Sequence, residues 1–288
     1  MNDSSSLPIG LFDSGMGGLT VLKALSQRLP EEDLLYLGDT ARLPYGTKGR
    51  DTIIRYTLKA AAKLVEMGVK MLVVACNTAT SAALPTLRER FAPLPVLGVV
   101  EPGAQAAIAA SANKCIAVIA TEATIAGRAY QETITRLCPE ARVVGRACTL
   151  FVPLAEEGWM AGPLVEAIAH RYLEDILPMN DSAAISGSAS PNQSPDQNPD
   201  TLLLGCTHFP LLQNALRNVL APGVQIVDSA ATTADCVAKT LRSLDMLRTG
   251  PGGRYSFLTT DNPARFARTG SLFLGEHLDG AQVTLVDL

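Results

Sequence analysis

The six cysteines, at 76, 115, 138, 148, 206 and 236, contain no CxxC pair. The three histidines, at 170, 208 and 277, show no helical metal spacing. A disulfide framework and a zinc site are therefore not expected, and no metal is predicted. Aromatic residues make up only 5% of the 288-residue chain, although 47% of it is hydrophobic. Ala, Leu, Val and Thr supply that bulk, which suits alternating strands and helices better than an aromatic-rich β-sandwich. Basic clusters are missing and the net charge is −4, so no nucleic-acid partner is expected. No apolar run approaches the roughly 18 residues of a membrane span. The N-terminal Met-Asn-Asp-Ser-Ser-Ser lacks the basic and apolar regions of a signal peptide. These absences leave a cytoplasmic enzyme with reduced thiols and no membrane partner as the expectation.

What is present comes in two copies. Residues 71–78 read Met-Leu-Val-Val-Ala-Cys-Asn-Thr, and residues 202–208 read Leu-Leu-Leu-Gly-Cys-Thr-His. Each is an apolar run of strand length that ends at a cysteine and opens into a helical pattern. Buried parallel strands read this way, and ligands of open α/β sheets gather beyond such strand ends. Cysteine is also among the most buried residue types, so two structural thiols would give the same pattern. The polar residues after each thiol favour function.

The rest of the chain alternates. Strand patterns fall at 7–12, 34–37, 95–100, 115–120, 141–145, 224–227, 254–259 and 283–286. Helical periodicity falls at 51–67, 81–91, 104–111, 124–137, 164–177, 210–219, 230–247 and 263–273. Such alternation predicts parallel sheets covered by helices. The Glu101-Pro102-Gly103 stretch reads as a hinge. Residues 179–200, rich in Ser, Pro and Asn, read as a flexible surface insertion. Asp13-Ser14-Gly15-Met16-Gly17-Gly18 follows the first strand. It lacks the spacing of a nucleotide loop, and its glycines suit close approach to a small carboxylate.

A free thiol titrates near 8.5 and is a poor base until something favours its thiolate. Cys206 has His208 two residues on. Cys76 needs a charged helper from another strand end, and Asp13 is the candidate. Two thiols with two helpers suit removal of a proton from one face of a carbon and delivery to the other. A single Cys–His hydrolase or transferase, with Cys206 as nucleophile, is the competing enzyme class. A binding module with two α/β lobes is the non-enzyme alternative.

Gly10–Leu22, Tyr36–Gly46, Ala75–Thr80 and Leu204–Leu211, with Phe151–Glu156 and Val227–Ser229, together resemble the glutamate racemases in order along nearly the whole chain. The resemblance implies two doubly wound, mainly parallel-sheet α/β domains related by a pseudo-two-fold, with glutamate bound between them. It places the first domain at residues 1–101 plus 212–288 and the second at 102–211. It implies interconversion of L- and D-glutamate without a cofactor, supplying D-glutamate for peptidoglycan. Cys76 is then the base for D-glutamate and Cys206 for L-glutamate, supported by Asp13 and His208 respectively. Substrate contacts are implied for Asp13, Ser14, Tyr45, Gly46, Asn77, Thr78, Thr207 and His208. Asp39, Glu156, Thr80 and Thr121 are supporting candidates. A homodimer is also implied, with regulation by a cell-wall precursor left open. Aspartate or another amino acid on the same scaffold is the alternative substrate.

Overall fold

The computed structural model describes residues 4–180 and 198–288. Most of the 179–200 stretch expected to be a flexible insertion lies outside the described residues. In chain order the strands are β1 (Ile9–Asp13), β2 (Leu34–Gly38), β3 (Met71–Val74), β4 (Val96–Gly98), β5 (Cys115–Ala120), β6 (Arg142–Ala147), β7 (Thr201–Gly205), β8 (Gln225–Val227), β9 (Tyr255–Thr259) and β10 (Val283–Leu285). They form two parallel sheets, ordered β10-β9-β2-β1-β3-β4 and β6-β5-β7-β8. Parallel neighbours need crossover connections, and helices supply most of them. These are α1 (Leu19–Arg28), α2 (Arg50–Glu66), α3 (Asn77–Phe91), α4 (Val100–Ala110), α5 (Glu122–Ala126), α6 (Ala129–Leu137), α7 (Phe151–Glu156), α8 (Pro163–Leu173), α9 (Gln213–Val219), α10 (Ala230–Ser243) and α11 (Pro263–Leu274).

The continuous apolar runs are explained by burial on both faces. Ile9, Leu11, Met71 and Val73 enter one core with α1, α10 and α11. Their neighbours Phe12, Leu72 and Val74 enter another with α2 and α3. The second sheet does the same. Ala117, Ile119, Leu202 and Leu204 face α8 and α9, while Ile116, Val118 and Leu203 face α4 and α6. Strand side chains alternate faces, so each run needs apolar residues at every position. Each fully buried Leu or Ile side chain contributes roughly 1.5–3 kcal/mol.

Three expectations are corrected. The hinge expected at residues 101–103 lies inside α4, whose first turn holds Pro102, a position where proline lacks no needed donor. The helix expected over 124–137 is two helices, broken at Gly127 and Arg128, whose φ of 53° is left-handed. The return to the first sheet was expected at 212. Instead β8 pairs with β7 and α9 packs in the second sheet's core. The chain rejoins the first sheet's layers only with α10, which packs on α1.

Each sheet reverses its winding once. In the first, β1 lies between β2 and β3; in the second, β5 lies between β6 and β7. The crevice at such a switch point opens at the carboxyl ends of the two diverging strands. For β1 and β3 those ends lead to Asp13-Ser14 and Cys76. For β5 and β7 they lead to Thr121 and Cys206.

Candidate active site

Cys76 caps α3. Its backbone is extended, and its sulfur accepts the Ala79 N–H at 3.4 Å. The apolar β3 run thus delivers the thiol to a helix start, where amides and the helix dipole favour negative charge. Cys76 also donates to the Ser14 hydroxyl at 3.4 Å. Opposing these contacts, burial first and the charge of Asp13 second push the thiol up to about 12. Cys206 lies within electrostatic reach and adds to the rise.

Asp13 is fully buried at the end of β1. Its Oδ2 accepts the Gly15 N–H at 2.9 Å, and its Oδ1 has no protein partner among the described residues. Burial raises its pKa, against the lowering influence of His208 and of the Gly15 and Gly18 amides. A side chain at Gly18 would collide with the Asp13 Cβ, at 2.6 Å.

Around Cys206 the surroundings differ. His208 Nδ1 lies 3.9 Å from the Cys206 sulfur and 3.4 Å from the Thr207 hydroxyl. Its Nε2 faces Glu156 Oε1 at 3.2 Å. Glu156 comes from the end of α7, and its other oxygen lies 3.7 Å from the Arg265 guanidinium. The His208 ring packs edge-on against Phe273 of α11, with centroids 5.0 Å apart. Burial works against the charged imidazole, yet Cys206 and Glu156 together hold its pKa up at about 10. In its cationic form the ring donates from both nitrogens.

The two switch points face each other. A side chain at Gly17, beyond β1, would lie 2.3 Å from the Thr207 hydroxyl oxygen and 2.7 Å from His208 Nδ1. A side chain at Gly46 would lie 2.5 Å from the Thr121 Cβ. Thr78, from the first sheet, meets Thr121 and Thr124, from the second, at 2.9 and 3.1 Å. Thr121 and Thr124 are 2.9 Å apart, closing a buried hydroxyl triangle.

The structure therefore gathers Asp13, Ser14, Cys76, Cys206, Thr207, His208 and Glu156, and places Asn77, Thr78, Gly46 and Thr121 where the halves meet. Three expected residues, Thr80, Asp39 and Tyr45, have their side-chain polar groups committed within the protein. The Thr80 hydroxyl donates to the Val74 carbonyl at 2.9 Å, tying α3 to β3. Asp39 accepts from Tyr45 at 2.6 Å, Arg42 at 2.9 Å and Thr260 at 2.8 Å. It is a buried anchor for the Tyr45–Gly46 turn. Tyr45, buried and bonded to that carboxylate, has its pKa driven far above the phenol range. Sequence reasoning missed Tyr130, Thr124 and Arg265. Tyr130 looked like one more apolar residue of a helix, and no local pattern singled it out. Among the described residues no group of three His, Cys, Asp or Glu side chains is arranged to hold a metal.

Comparison with known proteins follows the same outline. Residues 16–177 match the family described as Asp/Glu/Hydantoin racemase. Glutamate racemase of Geobacter metallireducens is 46% identical over 279 residues, covering 96% of each chain. The crystal structure of glutamate racemase from Francisella tularensis in complex with D-glutamate superposes with a TM-score of 0.84 at 33% identity, covering 98% of both chains. That of the Thermus thermophilus glutamate racemase, in complex with beta-chloro-D-alanine, gives 0.81 at 41% identity, covering 99% of this chain and 98% of that one. With likeness of this degree from end to end in both sequence and fold, the chain belongs to the glutamate racemase family.

Proposed function

We propose that the protein interconverts L- and D-glutamate by two-thiol proton transfer at the α-carbon, without a cofactor. One observation carries the reading: two buried cysteines at the switch points of two facing sheets, each with its own proton-handling neighbours. With L-glutamate bound, the Cys206 sulfur takes the α-proton and Cys76 returns one from the opposite face. The His208 imidazolium beside Cys206 stabilises negative charge on that sulfur, and the neutral Cys76 thiol is ready to donate. One turnover leaves the proton on Cys206 and the charge on Cys76, where the Ala79 amide, the Ser14 hydroxyl and the α3 dipole stabilise it. That form abstracts from D-glutamate. Asp13 sits between Cys76 and His208 in electrostatic terms and balances the charge as it moves.

Substrate recognition is assigned to Asp13, Ser14, Tyr45, Gly46, Asn77, Thr78, Thr207 and His208. Mostly neutral donors and helix starts thus hold the carboxylates and ammonium. Strong cationic clamping would stabilise ground and transition states alike and add nothing to the chemical step. We assign residues up to Val99 together with the segment from Asp228 onward to one domain, and 100–227 to the other. A homodimer remains the family expectation, which sedimentation tests. A cytoplasmic location is supported by peptidoglycan precursor synthesis as the use of D-glutamate. Among the described residues no helix is long and apolar enough to cross a membrane.

The test is circular dichroism of L-glutamate, and separately D-glutamate, incubated with the purified protein and no added cofactor. The signal of each decays to zero as the racemate forms. A flat trace for both enantiomers overturns the reading.

A further inference from the structure

Tyr130 belongs to none of the motifs that carry the family likeness, yet it touches three separate parts of the molecule. Its ring is almost fully buried in α6. Its hydroxyl donates to Asn77 Oδ1 at 2.5 Å, and Asn77 directly follows Cys76. The Ser229 side chain stands near the phenol. A side chain at Gly103 would lie 3.1 Å from both Ser229 Cβ and Tyr130 Oη. The chain crosses between the two sheets twice, just before Val100 and around Ser229. Tyr130 therefore stands beside both crossings and reaches from them into the site.

The second observation is at Asn77 itself. Its side chain is buried, and Nδ2 has no protein partner among the described residues. A buried, unsatisfied donor beside the thiol is costly unless a ligand takes it up. An amide can face either way, and only one way presents a donor to a carboxylate. Presenting the oxygen instead would set two acceptors against each other. The phenol donates its hydrogen to Asn77, and a donor selects the Asn77 oxygen. The Tyr130–Asn77 hydrogen bond thus leaves Nδ2 for the substrate.

We propose that Tyr130 is a positioning residue for the racemisation reaction: it sets the Asn77 amide so that Nδ2 donates to a carboxylate of glutamate, and it ties that setting to the two segments that join the halves. The proposal rests on the racemase reading above. Because the racemisation equilibrium constant is 1, any change in kcat/KM must be equal for the two enantiomers. The loss falls on binding, so it shows in KM more than in kcat.

The experiment measures kcat and KM for both enantiomers in the wild type, Tyr130→Phe, Asn77→Ala and the Tyr130→Phe/Asn77→Ala double variant. Tyr130→Phe keeps the ring and its packing. It raises KM roughly tenfold, the effect of losing one well-set hydrogen bond to a charged group, with a smaller change in kcat. In the Asn77→Ala background, Tyr130→Phe adds nothing further. For any variant with no measurable turnover, calorimetric titration with racemic glutamate, in which no net reaction occurs, supplies the affinity instead. An unchanged KM in Tyr130→Phe overturns the proposal. So does an equal Tyr130→Phe effect with and without Asn77, which marks a purely structural role. A wild type that fails to racemise glutamate strikes the racemase reading instead, so the two failures are distinguishable.

Discussion

Cys76 and Cys206 occupy matching places in two similar sheets, and their surroundings are unlike. Each follows a buried central strand at a switch point, and each is nearly inaccessible. Cys76 has a hydroxyl, a helix-start amide and a buried carboxylate nearby. Cys206 has an imidazole held by a second carboxylate. Burial alone would keep a thiol protonated. At Cys76 the dipolar contacts are too weak to reverse that, and the Asp13 charge deepens it. At Cys206 an imidazole whose pKa is held up at about 10 lies 3.9 Å from the sulfur. The same fold thus gives the two thiols opposite electrostatic surroundings. Repetition of a fold placed the thiols, and unequal neighbours divide the roles.

The largest expected effect tests whether both thiols are needed. Cys76→Ala and Cys206→Ala each lower racemisation by about 10²–10⁴-fold, the scale of losing a positioned acid or base. Polarimetric rates with each enantiomer measure this, and near-normal activity in either variant dissolves the pairing.

His208→Gln sharpens the asymmetry. Activity falls by on the order of 10²-fold, and kcat/KM falls equally for both enantiomers because the equilibrium constant is 1. Isotope effects separate the two directions. With Cα-deuterated substrates, the effect grows for L-glutamate, whose proton the proposed mechanism assigns to Cys206, and shrinks for D-glutamate. Equal changes in both directions would mean that His208 serves the two thiols alike.

Glu156→Gln is milder, about tenfold, since it acts through His208. Removing the carboxylate lowers the His208 pKa from about 10. The alkaline limb of the pH–rate profile therefore moves to lower pH. The stability sign follows. A raised imidazole pKa stabilises the fold fully below about 6.5 and loses that contribution as pH rises through about 10. The stability gap between wild type and variant is widest below that window and closes across it. A gap that does not vary with pH would detach Glu156 from the imidazole charge.

The smallest effect concerns Cys76 at high pH. Its thiol ionises near 9.0 when unfolded and is pushed up to about 12 when folded. Above the lower value the unfolded chain releases a proton that the folded one keeps, so stability is lost as pH rises. Wild type loses more stability than Cys76→Ala between pH 9 and 11, as thermal melting will show. Parallel losses would place Cys76 in a less buried setting than the structure does.

Much of the fold could be read from local pattern. Apolar runs such as 71–74 and 202–204 had to be buried on both faces, and the helical periodicity between them required parallel crossovers. Cys76 at a helix start follows from the same local pattern. Errors fell where a pattern was ambiguous or long-range contacts decided. Residues 124–137 have helical periodicity throughout, but the left-handed Arg128 breaks the helix. Strand β8 is only three residues long, and nothing in Gln225–Val227 says which sheet it joins. The hydrogen-bond partners of Asp39 were equally out of reach of local pattern. Its three donors come from residues 42, 45 and 260, and together they make it an anchor. Tyr130 gave no signal, because its hydroxyl bonds to Asn77, 53 residues away.

The sequence by itself determined that two cysteines end two buried parallel strands, with His208 beside one and Asn77-Thr78 beside the other. That follows from side-chain periodicity and helix capping, which act over a few residues. Only the tertiary structure decided that the two strand ends face each other, that Glu156 meets His208 from 52 residues away, and that Asp13 and Ser14 meet Cys76 across the β1–β3 crevice. The reason is that burial and Coulomb interactions depend on distance in space. The protonation of each thiol is set by groups that the chain brings near only when both sheets have formed.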